Sequence, residues 1–300
     1  MIGRWLGRVA LLGAACVGYG LIEARTFRVR RVEVPILPPG SLDLRVLHLS
    51  DIHLMVRQGR KTEFVRALAG LEPDLVINTG DNFSQPEAME PLLDAFGRLL
   101  DVPGGFVFGS NDYTAPRGTN PLGYLVRPTS DHAGESIAND LPWGELRDAF
   151  TARGWHDLNH QRASLELLGT RLEMRGTDDG HLGRDDYSQV AGPAAPGTDV
   201  SLGVTHAPYL RLLDAMTSDG LDLILAGHTH GGQVCVPFYG ALVTNCDLDT
   251  ERVKGLSQHT VGSNTSWLHV SGGIGTSPFA PYRFACPPEA TLLTLKARPS

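Results

Sequence analysis

Short apolar runs that each stop on a Gly, Asp or His cluster constrain this 300-residue chain more than any other feature of it. Residues 44–49 run into Ser50-Asp51, residues 74–79 into Gly80-Asp81, and residues 106–108 into Gly109. Later in the chain, residues 200–204 run into Thr205-His206 and residues 221–226 into Gly227-His228. Stretches with helical spacing lie between them, at 62–71, 86–100 and 209–216. Alternating strand and helix is the pattern of parallel βαβ units, so an α/β fold with buried strands is expected. Residues 165–168 and 171–175 flank Gly169 and predict a hairpin. Residues 116–142 and 176–197 lack periodicity and read as long loops, the first a candidate lid carrying Arg117, Tyr124 and Arg127.

The polar residues at the run ends suit metal chemistry. Asp51 and His53 stand two apart in an extended segment and so point to one side, as do His228 and His230. In open α/β sheets, the edge beyond the strand ends is where ligands bind. Carboxylates and imidazoles together suit Zn, Fe or Mn, and one Asp can be shared by two ions. Each residue alone is weak, because a strand-end Asp is commonly a turn residue and a buried His commonly a core residue. Their recurrence at consecutive strand ends is what carries the signal. By the same logic His48, within a run, reads as a core histidine, and Asp178, Asp179 and His181 as turn residues.

The chain's ends and charges narrow the class further. Residues 9–22 carry no charge, and six arginines (Arg4, Arg8, Arg25, Arg28, Arg30, Arg31) flank them against a single acid, Glu23. This reads as an uncleaved signal or a membrane anchor over residues 1–31, short against the roughly 20 apolar residues of a bilayer span. With both flanks basic, the side of the membrane stays open. Pro35, Pro38, Pro39 and Gly40 read as a stiff linker over 32–41, leaving a domain over 42–300. The formal net charge is −7, and the body beyond the arginine-rich end is more acidic still. That excludes a non-specific nucleic-acid binder. Four scattered cysteines, Cys16, Cys235, Cys246 and Cys286, give neither a disulfide framework nor a cysteine zinc site.

The ordered set Asp51-x-His53, Gly80-Asp81, Gly109-Ser110-Asn111-Asp112, His206 and Gly227-His228-Thr229-His230 resembles the calcineurin-like metallophosphoesterase superfamily. With Gly231-Gly232-Gln233 and the stretch Pro287-Pro288-Glu289-Ala290-Thr291, it is most similar to the bacterial membrane-associated YkuE/YaeI-type phosphodiesterase branch. The resemblance implies a four-layer α/β/β/α sandwich behind an N-terminal hydrophobic helix, with a dinuclear site holding two divalent ions (Mn, Fe or Zn). Carried over by position, Asp51, His53 and His230 hold one ion, Asp81 bridges, and His206, His228 and an Asn hold the other. The family box reads Gly-Asn-His-Asp or Gly-Asn-His-Glu, and here it departs. Ungapped, Ser110 falls at the metal Asn and Asn111 at the catalytic His. A one-residue slip keeps Asn111 as ligand, which we favour because an amide oxygen is a sound metal donor. Either way the family's general-acid His is missing, and Asp112 beside Asn111 is expected to take the catalytic role. The resemblance implies a hydrolase of phosphodiesters or pyrophosphates, lipid-linked ones included, using a metal-bridging hydroxide. Its rivals are a soluble (cyclic) nucleotide phosphodiesterase and a metal-binding scaffold without catalysis.

Overall fold

A computed structural model describes residues 2–116 and 140–299. Helix α1 (Ile2–Glu23) leads into β1 (Arg28–Leu37) and β2 (Leu44–Leu49). Next come α2 (Gly59–Ala67), β3 (Leu75–Asn78), α3 (Met89–Phe96), β4 (Gly104–Phe106) and the one-turn helix α4 (Ser110–Tyr113). Then follow α5 (Trp143–Ala152), β5 (His156–Asp157), β6 (Arg162–Leu167), β7 (Thr170–Gly176) and β8 (Val200–Val204). The chain closes with α6 (Leu210–Ser218), β9 (Leu223–Ala226), β10 (Cys235–Val236), β11 (Gly240–Ala241), β12 (Gly255–Val261), β13 (Asn264–Val270) and β14 (Glu289–Ala297).

Two six-stranded sheets form, in the orders β1-β14-β2-β3-β4-β5 and β12-β13-β9-β8-β7-β6. The strands β2, β3, β4 and β5 run parallel, as do β7, β8, β9 and β13. Strand pleating splits each apolar run between two cores. Leu44, Val46, Leu75 and Ile77 meet Leu202, Val204, Leu223 and Leu225 of the other sheet. Leu47, Leu49 and Val76 instead face helices through Val65, Leu92, Phe96 and Phe150. On the far side Leu212, Leu213 and Met216 cover Ile224, Leu268 and Val270. Helices thus flank a pair of face-to-face sheets. The expected hairpin is β6–β7, and its turn residues Leu168 (φ 52°) and Gly169 (φ 78°) are both left-handed, as a two-residue hairpin turn needs. His48 is a core residue: its Nδ1 meets Nδ1 of His269 at 2.9 Å across the inter-sheet gap.

Residues 32–41 are not a free linker. They are strand as far as Leu37, and β1 runs parallel to β14 from Arg28↔Glu289 to Leu37↔Ala297. Val34, Ile36 and Leu37 are buried. Pro35 is tolerated because β1 is the edge strand, where a missing N–H costs no ladder bond. The folded body therefore begins near residue 28. The expected lid falls outside the described residues apart from its ends, and Arg117, Tyr124 and Arg127 fall outside with it. The last turn of α1 is tied to the body: Arg283 donates its N–H to the Gly20 carbonyl at 3.0 Å, and Tyr19 packs edge-on against Phe284. Among the described residues no helix is long and apolar enough to cross a membrane.

Candidate metal centre

Backbone bonds join the loop after β2 to the loop after β3, and the loop after β9 to the loop after β8. Asp51 N–H donates to Gly80 O (2.9 Å), His53 N–H to Asp81 O (2.9 Å), and Gly227 N–H to His206 O (2.8 Å). Five side chains of interest leave backbone in the left-handed region: Asp51 (φ 50°), His53 (43°), Asp81 (57°), His228 (68°) and His230 (49°). Such strain in non-glycine residues persists only where the surroundings dictate it, and it gathers at functional sites. The glycines beside them permit the close approach. A Cβ on Gly109 would lie 2.3 Å from Asp81 Oδ1 and 2.5 Å from a His206 ring carbon.

Two trios of ligand atoms converge within 4.8 Å: Asp51, His53 and His230, and Asp51, Asp81 and His206. Asp51 belongs to both, yet Asp81 is the one turned both ways. Its Oδ2 is 3.3 Å from His53 Nε2 and its Oδ1 3.6 Å from His206 Nε2. The Nε2 atoms of His53 and His230 face each other at 3.2 Å. His206 is the most telling. Its Nδ1 contacts the Thr79 carbonyl at 2.6 Å, which fixes the ring, while its buried Nε2 has no hydrogen-bond partner among the described residues. A buried nitrogen left unpaired among carboxylates is the mark of a cation site, and the donor set of carboxylates and imidazoles suits a divalent ion. His228 lies outside both trios. It faces the Asn245 carbonyl through Nε2 at 3.1 Å and meets the His206 ring edge-on at 5.2 Å.

The charges agree with this arrangement. Burial disfavours the charged form of His206, but Asp81, Asp179 and Asp51 outweigh it and hold its pKa up at about 9. Burial raises Asp81 to about 6, with His206 pulling against it. Burial drops His53 and His230 well below the usual range, and takes His228 down to about 4 with the help of the His206 charge.

The two polar residues of the box after β4, Asn111 and Asp112, face different ways. Asp112 does not face the ligand atoms. It is fully buried, and its carboxylate accepts the N–H groups of Asp81 (2.7 Å), Asn82 (2.8 Å) and Gly109 (2.9 Å). The orientation differs from the one an acid role calls for: a carboxylate committed to three backbone donors positions the Asp81 loop. Asn111 does reach the site, donating Nδ2–H to Asp81 Oδ2 and its backbone N–H to Asp81 Oδ1, both at 2.8 Å.

Four further residues escaped the sequence reading. Lys61, buried on α2, donates to the carbonyls of Ile52 (2.8 Å) and His53 (3.2 Å). Burial, then the Arg283 charge, lowers its pKa to about 7. A signal existed, since Lys61 shares a helical face with Val65 and Leu68. Arg283 is also fully buried. It donates to the carbonyls of Gly272 (2.7 Å) and Gly275 (2.6 Å), and its Nη2 sits 3.1 Å from His230 Nδ1. Nothing in its local sequence announces this. Asn245 comes from an aperiodic loop. His181, read as a turn residue, is buried with its ring 4.5 Å from that of His228.

A carboxylate–imidazole cluster at the strand ends of a two-sheet α/β body defines a metal-dependent hydrolase. Residues 44–232 match the calcineurin-like phosphoesterase family, and the chain belongs to it. It is a hydrolase of phosphoester bonds. It is 27% identical to the uncharacterized metallophosphoesterase YkuE of Bacillus subtilis, over 95% of this chain and 93% of that one. It is 24% identical to the phosphodiesterase YaeI of Escherichia coli, over 97% and 98%. A transmembrane protein with metallophosphoesterase domain from Danio rerio is 27% identical over 95% of this chain and 61% of its own length.

Proposed function

We propose that this chain is a membrane-tethered, dinuclear metal-dependent phosphoesterase acting on a phosphodiester or pyrophosphate, with a lipid-linked substrate favoured. The observation that carries the metal reading is the unpaired, buried Nε2 of His206 among the carboxylates of Asp51 and Asp81. Asp51, His53 and His230 would hold one ion, Asp81 both, and His206, His228 and the amide oxygen of Asn111 the other. Bound divalent ions supply charge neutralisation and a nucleophile near neutral pH. The protein's own residues do the positioning. Asp112 fixes the Asp81 loop, Lys61 fixes the carbonyls of the Asp51–His53 loop, and Arg283 ties His230 to the 272–275 loop.

With Asp112 turned to backbone, the box after β4 supplies no acid for the leaving oxygen. That favours substrates whose leaving group is already stable, such as a pyrophosphate. The tether reading rests on α1, whose side chains at residues 11–17 are all exposed. An apolar helix uncovered by protein is matched by lipid, and its arginine flanks suit headgroups. Zn, Fe and Mn all suit the donor set.

Turnover of bis(4-nitrophenyl) phosphate with added Mn²⁺ tests the chemistry. Absence of turnover with Mn, Fe and Zn alike would leave the catalytically silent scaffold, the reading that the missing box histidine favours. Fractionation tests the tether: the full chain should sediment with membranes, and recovery in the soluble fraction would refute it. Hydrolysis confined to soluble nucleotides would refute the lipid-linked substrate.

A further inference from the structure

Two thiols that play no part in the chemistry above lie against the loop carrying His230. Cys235 opens β10 just after that loop, and Cys286 arrives from the segment before β14. Both are buried, at 7% and 0% exposure, and pack in one small cluster with Ala241 and Val253. Each donates its S–H to the same oxygen, the Gly231 carbonyl, at 3.3 Å, so both sulfurs gather around one atom. Cys286 also reaches the His230 carbonyl at 3.4 Å and accepts from Lys254 Nζ at 3.3 Å. The backbone around the pair is already zipped, since Cys235 N–H donates to Phe284 O at 2.8 Å. Cys246 lies in a different core, and Cys16 is exposed on α1.

The geometry points to Cys235 and Cys286 as a dithiol that closes to a disulfide behind the His230 loop. With a glutathione disulfide as oxidant the step balances. One cysteine sulfur attacks the S–S bond and expels a glutathione thiol, then the second cysteine sulfur displaces the other glutathione. Two S–H bonds and one S–S bond are consumed, one protein S–S bond and two glutathione thiols are formed, and two electrons pass to glutathione. Closure removes the S–H donors that hold the Gly231 and His230 carbonyls. Gly231 sits at φ 61° with Cys286 Sγ 2.8 Å from where its Cβ would stand, so movement of that sulfur is felt in the loop. Oxidation therefore loosens the His230 side of the centre. This coupling, unlike the cross-link, rests on the metal reading above.

The test uses the full chain in glutathione buffers poised from reducing to oxidising. Thiols are alkylated after unfolding and counted by intact mass, the pairing is mapped on peptides, and Mn²⁺ affinity is measured by calorimetry. Two of the four cysteines should become protected and map to Cys235–Cys286. Mn²⁺ affinity should fall about tenfold, the scale of lost support behind a ligand. Cys246→Ser should behave as the natural chain, whereas Cys286→Ser should lose both the cross-link and the dependence of affinity on poise. Four alkylatable thiols at every poise, a glutathione adduct on one cysteine, or pairing through Cys16 or Cys246 overturns the cross-link. A cross-link with unchanged affinity overturns the coupling. A reduced protein that binds no Mn²⁺ overturns the coupling together with the metal reading, while the mass still decides the cross-link.

Discussion

The two sides of the candidate centre are built differently. On the Asp51–His53–His230 side, three ligand atoms converge and buried basic side chains brace the backbone behind them: Lys61 at the carbonyls of Ile52 and His53, Arg283 at the carbonyl of His230. On the His206–His228 side, only His206 joins a converging trio. His228 stands back against Asn245 and His181, and Asn111 spends its amide N–H on Asp81. The looser side is also where the box reads Gly109-Ser110-Asn111-Asp112. What differs is how far the candidate ligand atoms already converge, more on the first side than on the second. Affinity should follow that order.

Asp81 spans both sides, so breaking it should erase the contrast and have the largest effect. Asp81→Asn should strip both ions and lower turnover by about a thousandfold or more. Metal analysis by mass spectrometry alongside aryl diester hydrolysis checks this. One ion retained per chain with substantial turnover would show that Asp51, common to both trios, is the true bridge.

Asp112→Asn comes next and acts through the fold. An amide cannot accept three backbone N–H groups as a carboxylate does, so the Asp81 loop should loosen at a cost of about 2 kcal/mol. For a body of this size that corresponds to about 3 °C in Tm. Activity should fall equally on aryl and alkyl diesters. A loss confined to poor leaving groups, with Tm unchanged, would restore the acid role and overturn the positioning one.

How much of this was legible from sequence follows from physics. Strand-end residues are placed by the strands that precede them, so the gathering of Asp51, His53, Asp81, His206 and His230 could be read from apolar runs and their stops, whereas His228 stands outside both trios. Asp112 could not be placed, because whether a carboxylate faces a site or folds back on N–H groups depends on backbone turns one residue long. A linker over 32–41 is the natural reading of Pro35, Pro38, Pro39 and Gly40, because prolines mask an alternation, Val32 and Val34 against Glu33, that an edge strand tolerates. Arg283 and the Cys235–Cys286 pair had no local signal. They act through contacts with residues far away in sequence, and a cysteine's neighbour is fixed by topology alone.

Proton competition offers a milder way to sharpen the contrast. The carboxylates hold His206 protonated up to about 9, so an ion binding there must displace that proton. Affinity at the His206 side should therefore rise with pH by up to about tenfold per unit and level off above about 9. His53 and His230 are already unprotonated near neutrality, so their side should respond far less. Two calorimetric binding events with the same pH slope would break the distinction.

The smallest effect is expected at Asn111. Asn111→Ala removes the N–H bond to Asp81 Oδ2 (2.8 Å) and the amide oxygen proposed as a donor for the second ion. It leaves the backbone N–H that holds Asp81 Oδ1 at the same distance. Asp81 thus keeps its orientation, and the Asp51–His53–His230 trio is untouched. Affinity for one ion should weaken by about tenfold, within the range for losing a support near a metal, while the tighter site keeps its affinity and Tm stays nearly constant. Asn111→Asp separates the two contributions: it keeps an oxygen donor but places a carboxylate against Asp81, so it should bind more weakly than the natural chain at low metal and recover as both sites fill. Equal weakening of both ions in Asn111→Ala would mean that Asn111 acts only by orienting Asp81. No weakening at all would leave the second ion to His206, His228 and Asp81 alone.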